Sequence, residues 1–325
     1  PYPAHAGPDR PCLSSITSKD AILIADSDGR ILYEKNQTKR FVPASTIKIL
    51  TALAALNHFG PYYRFRTEFY KDSFQNLKLK GYGDPLLTSE VLRGLADYLS
   101  TSVRFQNLVL DNTYFSPRIK IPGRGNSTNP YDAPVGALCA NFNTVVFQRD
   151  RKGRVISSER QTPMIPFVRD RIQSMGLKRG RHSFLRDSQE TARYAGELLL
   201  HFLKEVGVKS QGVIRFDPVR RDDMLFYAYE SPFTLETVIQ KMLKSSSNFM
   251  ANQILIALGA SIYGPPGTLN KGVRAVTDYA KNKLLLRNIK IVEGSGISRQ
   301  NRISALDMLI ILKRFKPYRY LLKRK

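Results

Sequence analysis

The sequence reads as an α/β fold, one domain made of two separated stretches of chain with a β-rich lobe inserted between them. Three patterns carry that reading. A strand pair followed by an apolar helix fills the first sixty residues. Helical periodicity returns from Thr191, and the stretch between is cut into short segments by Gly, Pro and Asn. A sheet covered by helices suits this order better than two domains in series. The expected divisions are 1–60 and 191–325 for the two halves and 61–190 for the lobe.

Residues 1–18, rich in Pro and Ser, read as an exposed lead-in. Ala21 to Ala25 is apolar, Asp26-Ser27-Asp28-Gly29 has turn chemistry, and Arg30 to Tyr33 is again extended, which predicts a β-hairpin. After Pro43-Ala44-Ser45 a helix is expected from Thr46 to about Asn57, with Ile47, Leu50 and Ala54 on its buried face. In the lobe, Lys80-Gly81-Tyr82-Gly83-Asp84-Pro85 and Gly123-Arg124-Gly125-Asn126 are turns, and Thr88 to Leu99 is a helix opened by a Thr88-Ser89-Glu90 cap. Beyond Thr191 strands are expected at Gly212–Phe216 and Met224–Tyr229. Helices are expected at Phe233–Leu243, Asn248–Leu258, Val273–Leu285 and Ser304–Phe315.

With 42% hydrophobic and 24% charged residues among 325, the chain has the composition of a folded protein. Its longest apolar run, Met224 to Tyr229, is far below the ~18 residues that span a bilayer. The start at Pro1, without an apolar leader, reads as a processed or cut terminus. The net charge of +24 divides as +2 over 1–60, +9 over 61–190 and +13 over 191–325. An excess spread this way favours loose attraction to an anionic polymer or membrane surface. Only Lys313 to Lys325 forms a dense basic run, beside apolar Leu309, Ile310, Leu312 and Phe315. Neither a basic–aromatic nucleic-acid motif nor zinc-finger spacing occurs, and the four histidines stand far apart, so no metal, cofactor or specific nucleic acid is expected. Cys12 and Cys139 could pair or remain thiols.

Two short motifs could carry chemistry. Ser45-Thr46-Ile47-Lys48 places a hydroxyl and an amine one turn apart where Pro43 opens a helix. Lys48 has apolar neighbours and no acid nearby in sequence. Burial there would lower its pKa from ~10.4, and a neutral lysine can take a serine proton. The plainer reading is a helix cap beside a solvated lysine. Ser246-Ser247-Asn248, between two helices, could bring a proton-relaying hydroxyl and an amide to one cleft. Its plainer reading is a turn, as for Ser127-Thr128-Asn129. Glu293-Gly294-Ser295-Gly296 lacks the Gly-x-Ser-x-Gly spacing of a nucleophile elbow, and Gly81-x-Gly83 lacks a third glycine, so both read as turns.

Ser-x-x-Lys followed far downstream by Ser-x-Asn is the motif order of penicillin-binding proteins and serine β-lactamases. Longer segments agree. Residues Phe41 to Leu53 resemble the nucleophile helix of the low-molecular-mass (class C) penicillin-binding proteins, the D-alanyl-D-alanine carboxypeptidase/endopeptidase family. Leu79 to Leu87, Tyr131 to Leu138 with Asn143, and Glu293 to Arg302 are similar to three further segments of that family, in order. The resemblance implies a penicillin-binding, serine β-lactamase-like sheet with flanking helices, interrupted by an inserted lobe. It implies acyl transfer outside the cytoplasm, in a periplasmic or similar compartment, on peptidoglycan stem peptides. Ser45 would be the nucleophile, Lys48 its base, Ser246 the proton shuttle and Asn248 the substrate-orienting group, with β-lactams as covalent inhibitors. Three departures stand out: no Lys-Thr-Gly follows Asn301-Arg302-Ile303-Ser304, Ser247 stands where Asp is common, and Glu293 replaces Asp. They leave, as the alternative, a truncated or degenerate relative that binds peptidoglycan without turning it over.

Overall fold

The structure is a computed structural model that describes residues 16–322. Most of the expected lead-in, and Cys12 with any pairing it makes, lies outside the described residues.

The strands are β1 (Ile22–Ala25), β2 (Ile31–Lys35), β3 (Arg40–Phe41), β4 (Arg64–Lys71), β5 (Leu77–Gly81), β6 (Leu108–Asp111), β7 (Val145–Arg149), β8 (Val155–Ser157), β9 (Gly180–His182), β10 (Ile214–Phe216), β11 (Met224–Thr234) and β12 (Ile303–Ser304). The α-helices are α1 (Lys48–Phe59), α2 (Ser89–Ser100), α3 (Pro166–Ser174), α4 (Ser188–Glu205), α5 (Leu235–Ser245), α6 (Asn248–Tyr263), α7 (Leu269–Lys283) and α8 (Ala305–Phe315). The expected hairpin is β1–β2, paired antiparallel through Ile24 and Tyr33.

Two apolar cores organise these elements. The first is helical. In α1 every residue from Lys48 to Leu56 is buried, and in α6 every residue from Phe249 to Ala260. Helices apolar all round belong inside a bundle, and α5, α7 and α8 surround this pair. Crossing α6 over α7 needs two glycines. A Cβ on Gly259 would lie 2.3 Å from the Gly272 nitrogen, and one on Gly272 would lie 2.5 Å from the Leu255 carbonyl oxygen.

The second core fills the lobe. A five-stranded sheet in the order β10-β6-β5-β4-β11 turns Phe69, Leu77 and Leu79 towards α2 and α4, and a small β8-β7-β9 sheet with α3 closes the far side. The boundary expected at residue 190 falls inside α4, whose Leu198, Leu199 and Phe202 belong to this second core. The lobe's sheet also takes in β10 and β11, so the chain crosses back later than turn composition indicates. Among the described residues the helical half contributes only the two-stranded pieces β1–β2 and β3–β12. No helix among them is long and apolar enough to cross a membrane, and no cluster of His, Cys, Asp and Glu there could hold a metal ion.

Candidate active site

The reactive turn is tighter than a regular helix start. Ala44 to Ile47 form a 3-10 turn, and α1 begins only at Lys48. Pro43 caps the turn with its ring-fixed φ (−73°), and the Thr46 hydroxyl donates to its carbonyl at 2.7 Å. Three residues per turn bring side chains i and i+3 into line, so Ser45 and Lys48 face each other. Ser45 is exposed while Lys48 is 1% exposed, and the Lys48 Nζ lies 3.0 Å from the Ser45 Oγ.

The same amine donates to the Asn248 Oδ1 at 2.9 Å and to the Ser295 carbonyl at 2.7 Å. Those two oxygens can only accept, whereas a hydroxyl can donate or accept. A neutral Lys48 keeps its two N–H groups on Asn248 and Ser295, and its lone pair then faces the Ser45 hydroxyl. The Asn248 Nδ2 donates to the Tyr131 carbonyl at 3.4 Å, which fixes the orientation of its amide. Burial lowers the Lys48 pKa to about 8, against an opposing pull from the Glu293 charge. The sequence placed no acid near Lys48; the fold supplies one from the distant turn before β12.

The Ser246-Ser247-Asn248 motif is a helix-to-helix reversal. Ser246 takes a left-handed conformation (φ 52°, ψ 37°) that ends α5. Ser247 caps α6 by accepting from the Met250 N–H at 3.2 Å, and Asn248 is the first helical residue. This is the capping work for which Ser is favoured, so a serine serves where Asp is common. Ser246 is exposed and makes no hydrogen bond to Ser45 or Lys48. It lines, with Asn248, a cavity of about 810 Å3 walled by Tyr131, Phe142, Phe249 and Met250 and edged by Arg181, Lys241 and Lys244. Tyr131 brings the lobe into that wall. Gln253 of α6 holds the same lobe segment, donating to the Gly136 carbonyl at 2.6 Å and accepting from its N–H at 3.2 Å. Gly83 steadies it from the other side, its N–H on the Ala137 carbonyl at 2.7 Å. A larger cavity of about 1020 Å3 lies between α4 and β10, with none of the four expected site residues in its lining.

Glu293 to Ser298 form a turn, as expected, but a turn built into the site. The Glu293 carboxylate is fully buried. Its Oε2 accepts from the Ser295 N–H (2.7 Å), the Ser295 Oγ (2.6 Å) and the Asn252 Nδ2 (3.2 Å). Its Oε1 accepts from the Gly296 N–H (2.6 Å), the Asn301 Nδ2 (2.6 Å) and the Ser298 N–H (3.4 Å). The Gly294 carbonyl accepts from the Thr51 hydroxyl of α1 at 2.8 Å. Gly296, at φ +82°, packs so closely that a Cβ there would stand 1.8 Å from the Ala44 carbonyl oxygen. Two Asn, a Thr and four Gly/Ser positions meet around this acid; the sequence showed the turn and its likeness to a family segment, but not these partners.

Comparison with known proteins bears on the fold and the family. The model of the D-Ala-D-Ala carboxypeptidase 3 (S13) family matches residues 14–175 and 167–319. The chain is 24% identical over 329 residues to the D-alanyl-D-alanine carboxypeptidase DacB of Haemophilus influenzae, covering 88% of this chain and 68% of that one. It is 26% identical over 341 residues to a D-alanyl-D-alanine carboxypeptidase of Actinomadura sp. (strain R39), covering 90% of this chain and 63% of that one. It therefore spans roughly two thirds of the length of these relatives. The fold is that of penicillin binding protein 4 (dacB) from Haemophilus influenzae, with a TM-score of 0.73 at 21% identity over 93% of this chain and 76% of that one. A β-lactam complex of the same protein matches with a TM-score of 0.65 at 20% identity, over 93% and 75%. On the family match over nearly its whole length, the chain belongs to the D-Ala-D-Ala carboxypeptidase 3 (S13) family of peptidoglycan-acting serine peptidases.

Proposed function

We propose that this chain is a penicillin-binding D-alanyl-D-alanine carboxypeptidase/endopeptidase that cleaves peptidoglycan stem peptides through an acyl-enzyme on Ser45. The observation that carries the proposal is the exposed Ser45 hydroxyl 3.0 Å from a buried amine whose pKa lies at about 8. A nucleophilic serine needs a base, and here the lone pair of neutral Lys48 faces it.

Lys48 takes the hydroxyl proton as Ser45 Oγ bonds to the carbonyl carbon between two D-alanines. The positive end of the turn leading into α1 favours the developing oxyanion. The carbon–nitrogen bond then breaks, and the departing amine receives a proton from the Lys48 ammonium, with Ser246 on the cavity wall as the shuttle. Asn248 orients the peptide beside Lys48. Water, activated by the same amine, cleaves the ester and regenerates Ser45. A β-lactam presents an equivalent carbonyl and acylates Ser45. A cell-wall substrate puts the working chain outside the cytoplasm, in the periplasm or its equivalent. The charge of +24 supports a peripheral hold on the anionic envelope.

The test is labelling with a fluorescent penicillin and release of D-alanine from a pentapeptide. The expected result is a covalent adduct on Ser45 that Ser45→Ala abolishes. Equal labelling of Ser45→Ala would refute the assignment. Sedimentation with peptidoglycan without labelling or D-alanine release would favour the non-catalytic binder.

A further inference from the structure

We propose that Glu293 is a positioning residue for acyl transfer: through the turn from Gly294 to Gly296 it holds both the amine of Lys48 and the peptide of Ser45 in their reactive places. The proposal rests on the reading of Ser45 and Lys48 given above and names what sets their geometry.

Three features of the turn lead to it. First, Glu293 grips Ser295 by its N–H and its hydroxyl, and the carbonyl of that same Ser295 is one of the two obligate acceptors on Lys48. Without a fixed Ser295 carbonyl, the amine could turn its lone pair away from Ser45. Second, Glu293 accepts from the Gly296 N–H at 2.6 Å, and Gly296 lies directly against the Ala44–Ser45 peptide. Ala44 is held at φ 49°, a left-handed conformation that is unfavourable for a non-glycine residue. Such a conformation persists where its surroundings over-determine it, and the Gly296 contact is part of those surroundings. Third, all six partners of the carboxylate are donors, from the turn itself, from Asn252 on α6 and from Asn301 before β12. That shell suits an anion, and the anion is the charge that acts on Lys48.

The charge gives a readout that simple loss of packing would not move. A negative group favours the ammonium form. Replacing it by a neutral amide lowers the Lys48 pKa further, so the base becomes available at lower pH. The acid limb of the pH–rate profile then moves towards acid, although the rate itself falls because the geometry is loosened. A displacement of about 1 Å can cost about 100-fold.

The experiment measures the second-order rate of acylation by a fluorescent penicillin across the pH range for the unaltered chain, Glu293→Gln and Glu293→Asp. The expected result for Glu293→Gln is a rate lower by about 10- to 100-fold with the acid limb displaced to lower pH. Glu293→Asp keeps the charge and should return the limb to its original place. A Glu293→Gln variant with an unchanged rate and an unchanged limb overturns the proposal. If Glu293→Gln does not fold, Glu293→Asp decides: a limb in place supports the proposal, and a limb displaced to acid overturns it. No acylation of the unaltered chain at any pH overturns the functional reading itself and this proposal with it. Acylation of the unaltered chain with Glu293→Gln indistinguishable from it overturns this proposal alone.

Discussion

Lys48, the proposed base, is also a cost to the fold. Its pKa falls from 10.5 in a free chain to about 8 when folded. The unfolded chain therefore binds more protons between those values, and stability rises with pH across that window. Below pH about 8 the whole penalty is present, about 3 kcal/mol at ~1.4 kcal/mol per pKa unit. Lys48→Met removes it but leaves two acceptors without their donor, the buried Ser295 carbonyl at about 1 to 3 kcal/mol and the half-buried Asn248 Oδ1 at less. Together the lost bonds roughly offset the removed penalty. The expected outcome is loss of acylation with a melting temperature close to the original at pH 7, and no rise in stability between pH 8 and 10.5. A melting curve that keeps that rise would show that the titrating group is not Lys48. For the unaltered chain, acylation should climb through pH about 8 as the amine loses its proton. The approach of Ser45 to Lys48 was legible in the sequence, because a spacing of three on one turn converts into proximity; that of Asn248 to Lys48, across 200 residues, was expected only from the motif order of the family it resembles. Glu293 was not legible as a partner. Its motif read as a turn, which it is, and no local pattern says that the turn's carbonyl meets an amine on another helix.

The element that would set the proposed reactivity of Ser45 is the 3-10 turn from Ala44 to Ile47, and the sequence showed a helix from Thr46 without the pitch of its start. Apolar spacing at Ile47, Leu50 and Ala54 fits either pitch over one turn. The tight turn is imposed from outside, by Pro43 and by the approach of Gly296 to Ala44. Gly296→Ala tests that approach. Its methyl would meet the Ala44 carbonyl oxygen at 1.8 Å, backbone that cannot swing aside as a side chain can, and φ +82° adds the left-handed cost of about 1 to 2 kcal/mol. Acylation should fall by at least about 10-fold in protein that still melts cooperatively, as read by labelling rate beside a thermal melt. A variant labelling at the original rate would mean that the turn keeps its shape unaided. Ser247→Ala tests the other reversal. It removes the cap on the Met250 N–H and should destabilise the chain by about 1 kcal/mol. Acylation should weaken too, because Asn248 is the next residue. An unchanged melt would show that the cap contributes nothing there.

At the scale of the molecule, the order of halves and lobe was legible from where the punctuation changes, but the place of return was not. The lobe's sheet draws on β10 and β11, and α4 begins before the expected boundary, since helical periodicity looks the same whichever core it faces. Charge is a property of the whole chain and separates two behaviours. An excess of +24 carried mainly on exposed side chains attracts an anionic polymer over about a Debye length, ~10 Å at 0.1 M salt and ~3 Å at 1 M. The Lys48–Glu293 pair is buried and is screened much less. Salt should therefore divide binding from chemistry. Co-sedimentation with purified peptidoglycan sacculi should weaken several-fold between low and high salt, while acylation of Ser45 by a small penicillin should change by a far smaller factor. If retention on sacculi proved indifferent to salt while labelling stayed constant, the hold on the wall would have to come from the cavity beside Asn248 rather than from the spread of positive charge. Competition by a soluble stem peptide would then release the chain.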